Sequence, residues 1–296
     1  MTFSPSGRVF VAASAANATP PVVAYPWLPG FGVRYADPVG FPSAAVAIES
    51  CVFTPKEDAI AFPSSISPYV VAYPWSMTSG FGTKYSNPAT IASGASNSVA
   101  FSPKGDAIAI AQDTSPYVTV YAWNSSTGFG AKYADPVSLP PNVCISVAFS
   151  PSGDTLLLGH YGSPYITAYE WNSSTGFGAK YSNPSTLPPT VVRQVTFSPN
   201  GKVVALTTLG TAGMLGVLAY AWNSSTGFGA KYANPATYPS LAINIQFSPS
   251  GRTLAVGTHY PPYLYIYPWS DTLGFGAAYT NPAGIGNVNS LAWRPA

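Results

Sequence analysis

WNSSTGFGAKY stands at Trp123–Tyr133 and recurs letter for letter at Trp171–Tyr181 and Trp222–Tyr232. Looser copies fill Trp27–Tyr35, Trp75–Tyr85 and Trp269–Tyr279, so the unit is used six times. A second marker falls at Phe3-Ser4-Pro5, Phe53-Thr54-Pro55, Phe101-Ser102-Pro103, Phe149-Ser150-Pro151, Phe197-Ser198-Pro199, Phe247-Ser248-Pro249 and Trp293-Arg294-Pro295. Its spacings are 50, 48, 48, 48, 50 and 46 residues. A period of this length over the whole chain dictates architecture, because each repeat is one supersecondary unit that buries its apolar face against its neighbours.

Each repeat resolves into four strand candidates between turn signals. Strand a is Ser98–Ser102 and its equivalents, closed by Pro-x-Gly as in Pro103-Lys104-Gly105. Strand b, at Ala107–Ala111, Thr155–Gly159, Val203–Thr207 and Thr253–Gly257, is continuously apolar and built of small residues, as expected of a strand buried on both faces. Strand c, Tyr117–Trp123, alternates Tyr117, Thr119, Tyr121 and Trp123 with Val118, Val120 and Ala122. A loop with two glycines follows, and strand d near Ala131–Ala134 ends at Asn-Pro or Asp-Pro. No stretch has helical periodicity with caps.

The chain therefore reads as all-β, a six-bladed β-propeller of four-stranded antiparallel blades, with residues 1–296 forming one domain. The Phe-Ser-Pro-x-Gly turn, the small apolar strand after it and the Tyr-x-Trp-Asn ending of strand c resemble the blades of WD-repeat propellers. The family's His and Asp network is not in the sequence, since Trp-Asn or Trp-Ser stands where Trp-Asp is expected. Strand a has seven copies against six of the others, because Met1–Ser4 and Asn289–Arg294 both match it. The longer C-terminal copy is expected to pair near Val9–Ala13 and close the ring, leaving Met1–Ser6 peripheral. Seven blades, or an open ring completed by another chain, is the alternative.

Only 7% of the residues are charged, against about a quarter in ordinary soluble proteins. Disorder is excluded by a hydrophobic share of 47% with 14% aromatic. A formal charge of +2 with no Lys or Arg run gives no field for nucleic acid, and no segment has the length of a membrane span. No signal peptide is read, so synthesis is expected in the cytoplasm, with the protein then in a virion or extracellular after particle release. Cys51 and Cys144 fall in different repeats and different slots, which makes them two reduced, buried thiols.

No catalytic centre is readable. His160 and His259 follow strand b two repeats apart, with no metal-ligand spacing, and are expected at surface turns; no cofactor or metal is expected. Glu170 has no second carboxylate near it. Arg34, Lys84, Lys132, Lys180 and Lys231 share one register and form a candidate cation ring for an acidic partner, unless duplication alone explains them. The b–c turns of the first and fifth repeats are longer than the others, and with the turn of the sixth they nominate a partner contact at Asn17, Thr208, Leu209, Gly210, Met214, His259 and Tyr260.

Low charge, near-identical repeats and a surface rich in Tyr, Asn and Ser lead to the expectation of a non-catalytic assembly protein, a phage or virus particle component that docks on other proteins. The alternative is a multivalent carbohydrate-binding lectin, each blade offering an aromatic platform. An enzyme is not expected.

Overall fold

The computed structural model describes residues 1–13, 22–28, 30–42, 51–210, 216–281, 286, 288 and 290–294. They are all-β, with no helix among the described residues, and form six antiparallel sheets that are the blades of a six-bladed β-propeller fold. The third blade is representative: strand a Ser96–Phe101, b Ala107–Gln112, c Val118–Asn124 and d Gly128–Lys132, each hydrogen-bonded to the next. The first blade has three strands, and its fourth is reduced to the bridge Trp27↔Phe31. Its loop from Trp27 to Gly30 is two residues shorter than that from Trp123 to Gly128. Contacts divide the chain into two compact units, Met1–Leu139 with Ser173–Phe177 and Arg294–Ala296, and Pro140–Asn172 with Gly178–Trp293.

The a–b hairpin is fixed locally by the serine of Phe-Ser-Pro. Ser102 is buried, and its Oγ accepts the backbone N–H of Asp106 at 3.1 Å and of Ala107 at 3.0 Å while donating to Asp106 Oδ1 at 2.6 Å. Gly105 completes the turn at φ 68°, in the left-handed region that glycine enters without a Cβ penalty. Strand b then lies buried along its whole length in blades two to five, at Ala59–Pro63, Ala107–Gln112, Thr155–His160 and Val203–Thr208.

The repeated loop joins consecutive blades. In the first unit the Tyr35 hydroxyl donates to the Met77 carbonyl at 2.7 Å, Tyr85 donates to that of Ser125, and Tyr133 to that of Ser173 at 2.5 Å. The rings of Tyr35 and Tyr85 meet the edges of Trp75 and Trp123 at centroid distances of 5.1 and 5.2 Å. In the second unit Tyr181 and Tyr232 donate to Ser224 and Asp271 at 2.5 and 2.6 Å and meet Trp222 and Trp269, both at 5.1 Å. From the second blade on, the first glycine of the loop makes room for the tyrosine: a Cβ on Gly128, at φ +84°, would stand 2.8 Å from the Tyr85 ring. The Trp, the Gly and the Tyr of the motif thus belong to one contact, made between one repeat and the next.

Strand a of the first blade is N-terminal. Thr2 pairs with Val11 and Phe3 with Phe10, which corrects the expectation that the C-terminal copy pairs with Val9–Ala13. A hairpin closed by a short Ser-Pro-Ser-Gly turn costs far less loop entropy than a strand brought from the far end of the chain. The C-terminal copy instead runs beside strand a of the sixth blade, where Leu291 N–H donates to Asn244 Oδ1 at 3.2 Å and Trp293 N–H to Gln246 Oε1 at 3.3 Å. The same device links the fifth and sixth blades, Ile245 N–H to Gln194 Oε1 at 2.6 Å.

Trp123→Ala is expected to lower stability by about 3–5 kcal/mol, as for a buried aromatic. Gly128→Ala, strained by its positive φ and by the Tyr85 ring, is expected to cost about 1–3 kcal/mol, and Tyr85→Phe about 1. Urea denaturation followed by circular dichroism checks all three, and unchanged midpoints would detach this contact from stability.

Candidate functional site

Copied repeats copy their structural contacts, so a site is sought where one blade departs from the rest. Two slots face each other across consecutive blades. The slot after Pro-x-Gly holds Arg8, Asp58, Asp106, Asp154, Lys202 and Arg252; the slot two residues after the tryptophan holds Met77, Ser125, Ser173, Ser224 and Asp271 in the second to sixth blades. Where the first is acidic the second is serine: Ser125 Oγ donates to Asp58 Oδ1 at 2.7 Å. Asp154 is likewise reached by Ser224, and although desolvation raises its pKa, hydrogen bonds from Ser152, Ser150, Thr155 and Ser224 together pull the carboxyl below its ordinary value.

Between the fifth and sixth blades the polarity is reversed. Lys202 replaces the acid of the turn, and Asp271 replaces the serine of the loop. Asp271 Oδ2 accepts from Asn200 Nδ2 at 2.6 Å, and its Oδ1 from the Trp269 indole N–H at 3.0 Å. In Trp75, Trp123 and Trp222 the same indole N–H is buried without an acceptor. Asn200, Ser250, Arg252, Trp269 and Asp271 line a cleft of about 250 Å³ within the second unit. A carboxylate held by two donors, in a cleft that an arginine also lines, suits a small polar ligand.

The residues singled out from sequence are placed otherwise. Thr208 and Gly210 are buried, with Thr208 N–H bonded to Gly216 O at 3.0 Å and Leu241 N–H to Gly210 O at 3.2 Å, so they stitch the turn rather than present a surface. Leu209 is half-buried, His259 and Tyr260 are exposed, and Asn17 and Met214 lie outside the described residues. Four of the five cations bind the Asp or Asn three residues on. Arg34 pairs with Asp37 at 3.0 Å and Lys132 with Asp135 at 2.5 Å, while Lys84 and Lys231 donate to Asn87 and Asn234 at 2.7 and 2.5 Å. Lys180 is exposed. Glu170 accepts the Ala179 N–H at 3.3 Å within its own blade. Among the described residues no three of His, Cys, Asp and Glu gather as a metal site. Asn200, Arg252 and Asp271 escaped the sequence reading, although a slot-by-slot comparison of the six copies exposes Asn200 and Asp271; Arg252 has a counterpart in Arg8.

No protein-family model matches the chain, and comparison with curated proteins gives no match. Solved structures do. A protein of Bacteroides uniformis ATCC 8492 named a "putative 6-phosphogluconolactonase" superposes with a TM-score of 0.68 at 15% identity, over 93% of this chain and 82% of that one. A second so named, from Bacteroides fragilis NCTC 9343, gives 0.69 at 11%, over 97% and 84%. At these identities the likeness is one of fold. Both neighbours nevertheless bear an enzyme's name, which overturns the expectations of a non-catalytic phage or virus component, of a lectin as its alternative, and of no enzyme. Those expectations weighed what the repeats share and not where one repeat differs.

His160 is corrected too. It closes strand b of the fourth blade, fully buried, opposite Cys144 and with Nε2 3.0 Å from Thr167 Oγ1. Its slot holds a buried polar residue in other blades, Gln112, Thr208 and Thr258. Burial pushes its pKa down to about 4 from the ordinary 6.5. The fold therefore favours the neutral ring: stability is full above pH 6.5 and is lost as pH falls from there toward 4. The loss is about 3 kcal/mol when complete. His160→Gln, with the residue that Gln112 supplies to the same slot, is expected to flatten the dependence of the urea midpoint on pH between 7 and 4.

Proposed function

We propose that the protein is a β-propeller hydrolase acting on a small cyclic ester in the Asp271 cleft. The observation behind this reading is the joint departure of Asn200 and Asp271 from the repeat, meeting in one cleft of the second unit that Arg252 also lines. The fold shared with two proteins named as lactonases supports the choice of reaction. The WD-like blade layout enters as scaffold only, since function belongs to sites and not to folds.

Hydrolysis of a lactone needs a base for the attacking water and positive charge for the carbonyl oxygen as it becomes anionic. Asp271 takes the water's proton as the water oxygen adds to the carbonyl carbon. Arg252 faces the developing oxyanion. The C–O bond of the ring then breaks, and the ring oxygen leaves as the hydroxyl of the product acid, recovering the proton.

Acid release from glucono-δ-lactone and from its phosphorylated form, followed in a pH-stat, tests the reading. Purified protein is expected to exceed the spontaneous rate, and Asp271→Asn to lower kcat about 100-fold or more, the span of general-base catalysis. A rate no faster than the spontaneous one, or full activity in Asp271→Asn, overturns it.

A further inference from the structure

We infer that Asn200 is a positioning residue that sets the Asp271 carboxylate in the cleft; the inference rests on the hydrolase reading above. In the other repeats the slot between Pro and Gly of the turn, or its equivalent, holds Ser6, Lys56, Lys104, Ser152 and Ser250, so asparagine appears only where the loop of the next blade carries aspartate. The two departures meet at 2.6 Å.

The orientation of the amide is determined on its other side. Asn200 Oδ1 accepts the Ser198 hydroxyl at 2.7 Å and the Lys202 backbone N–H at 3.1 Å. With the oxygen engaged by two donors, only Nδ2 is left to point at Asp271, and a flipped amide would set its oxygen against a carboxylate oxygen. Ser198 is itself buried and also accepts the Val203 N–H at 3.0 Å, so the chain of bonds starts from the a–b hairpin. From the opposite side Trp269, 7% exposed and packed on Tyr232 and Phe275, holds Oδ1. One carboxylate oxygen is thus fixed by the fifth blade and the other by the sixth. Its free lone pairs have a defined direction before any substrate arrives, and this kind of preorganisation raises kcat without tightening binding.

The experiment uses the full chain and four proteins: the parent, Asn200→Ser, Asp271→Ala and the double variant. Serine is chosen because it already occupies this slot in three turns, so the hairpin retains its fold. Each is measured by urea denaturation and by lactone hydrolysis. The expected result is a fall of about tenfold in kcat for Asn200→Ser with KM within twofold, no further loss from Asn200→Ser in the Asp271→Ala background, and non-additive urea midpoints. An unchanged kcat in Asn200→Ser, with Asp271→Ala inactive, overturns the inference and leaves the hydrolase reading standing, as do additive midpoints. A parent without lactone hydrolysis removes both.

Discussion

The contact on which the rest of the structure depends is the one between the tyrosine that ends a repeated loop and the tryptophan that ends strand c of the next blade. It joins a ring edge, a hydroxyl-to-carbonyl hydrogen bond and a glycine that gives space, and it recurs at Tyr35, Tyr85, Tyr181 and Tyr232 with centroid distances of 5.1 to 5.2 Å. A blade alone is a small sheet with both faces apolar, and it is stable only against neighbours. The tyrosine fixes the register of that packing, because its hydroxyl has one carbonyl to reach and its ring one indole to meet. Burial raises the pKa of these phenols, that of Tyr85 to about 12, with the Asp58 charge a smaller cause.

With blade-to-blade register settled in this way, the remaining positions of the repeat divide by what they touch. The serine of Phe-Ser-Pro closes its own hairpin. Strand b fills the space between blades with small side chains. The second large tyrosine, Tyr121, Tyr220 or Tyr267, is buried in strand c and donates to the carbonyl of Thr90, Thr186 or Thr237 in the connection from the preceding blade, at 2.6, 3.0 and 2.8 Å. Residues that serve these contacts cannot vary without cost, and the near-identity of the copies follows from shared geometry as much as from shared origin.

This division explains what was legible. Blade number, strand order and the buried strand b follow from periodicity and from the Pro-x-Gly turn, and the structure agrees with each. Which copy of strand a pairs with Val9–Ala13 was not legible, because Phe3 and Trp293 satisfy the same pattern and only loop closure separates them. His160 was misplaced because it ends a strand in a slot that elsewhere holds Gln112 or Thr258, so its burial is a property of the slot and not of histidine. The lysines invited a surface reading because their partners stand three residues away in the same loop, as Asp135 does from Lys132. The Asp271 cleft was written in the sequence, but as a difference between copies, and attention to what recurs passes over it.

The reversal at the fifth and sixth blades has a chemical consequence that a structural latch does not need. Asp154, in the ordinary arrangement, receives hydrogen bonds from Ser150, Ser152, Thr155 and Ser224. Three of those donors converge on Oδ1, so that oxygen has no lone-pair site left for a further donor. Asp271 receives two side-chain donors, one on each oxygen, and lines a cleft that Arg252 also lines. Moving the acid from the hairpin to the loop therefore exchanges a carboxylate with one crowded oxygen for one that keeps a lone-pair site open on each. Removing the acid from the turn also keeps a second negative charge away from Asp271: Lys202 takes that slot in the fifth blade, and Arg252, which lines the cleft, takes it in the sixth. A latch is served as well by serine and aspartate in their usual places, so the exchange is best understood from the lone pairs it sets free.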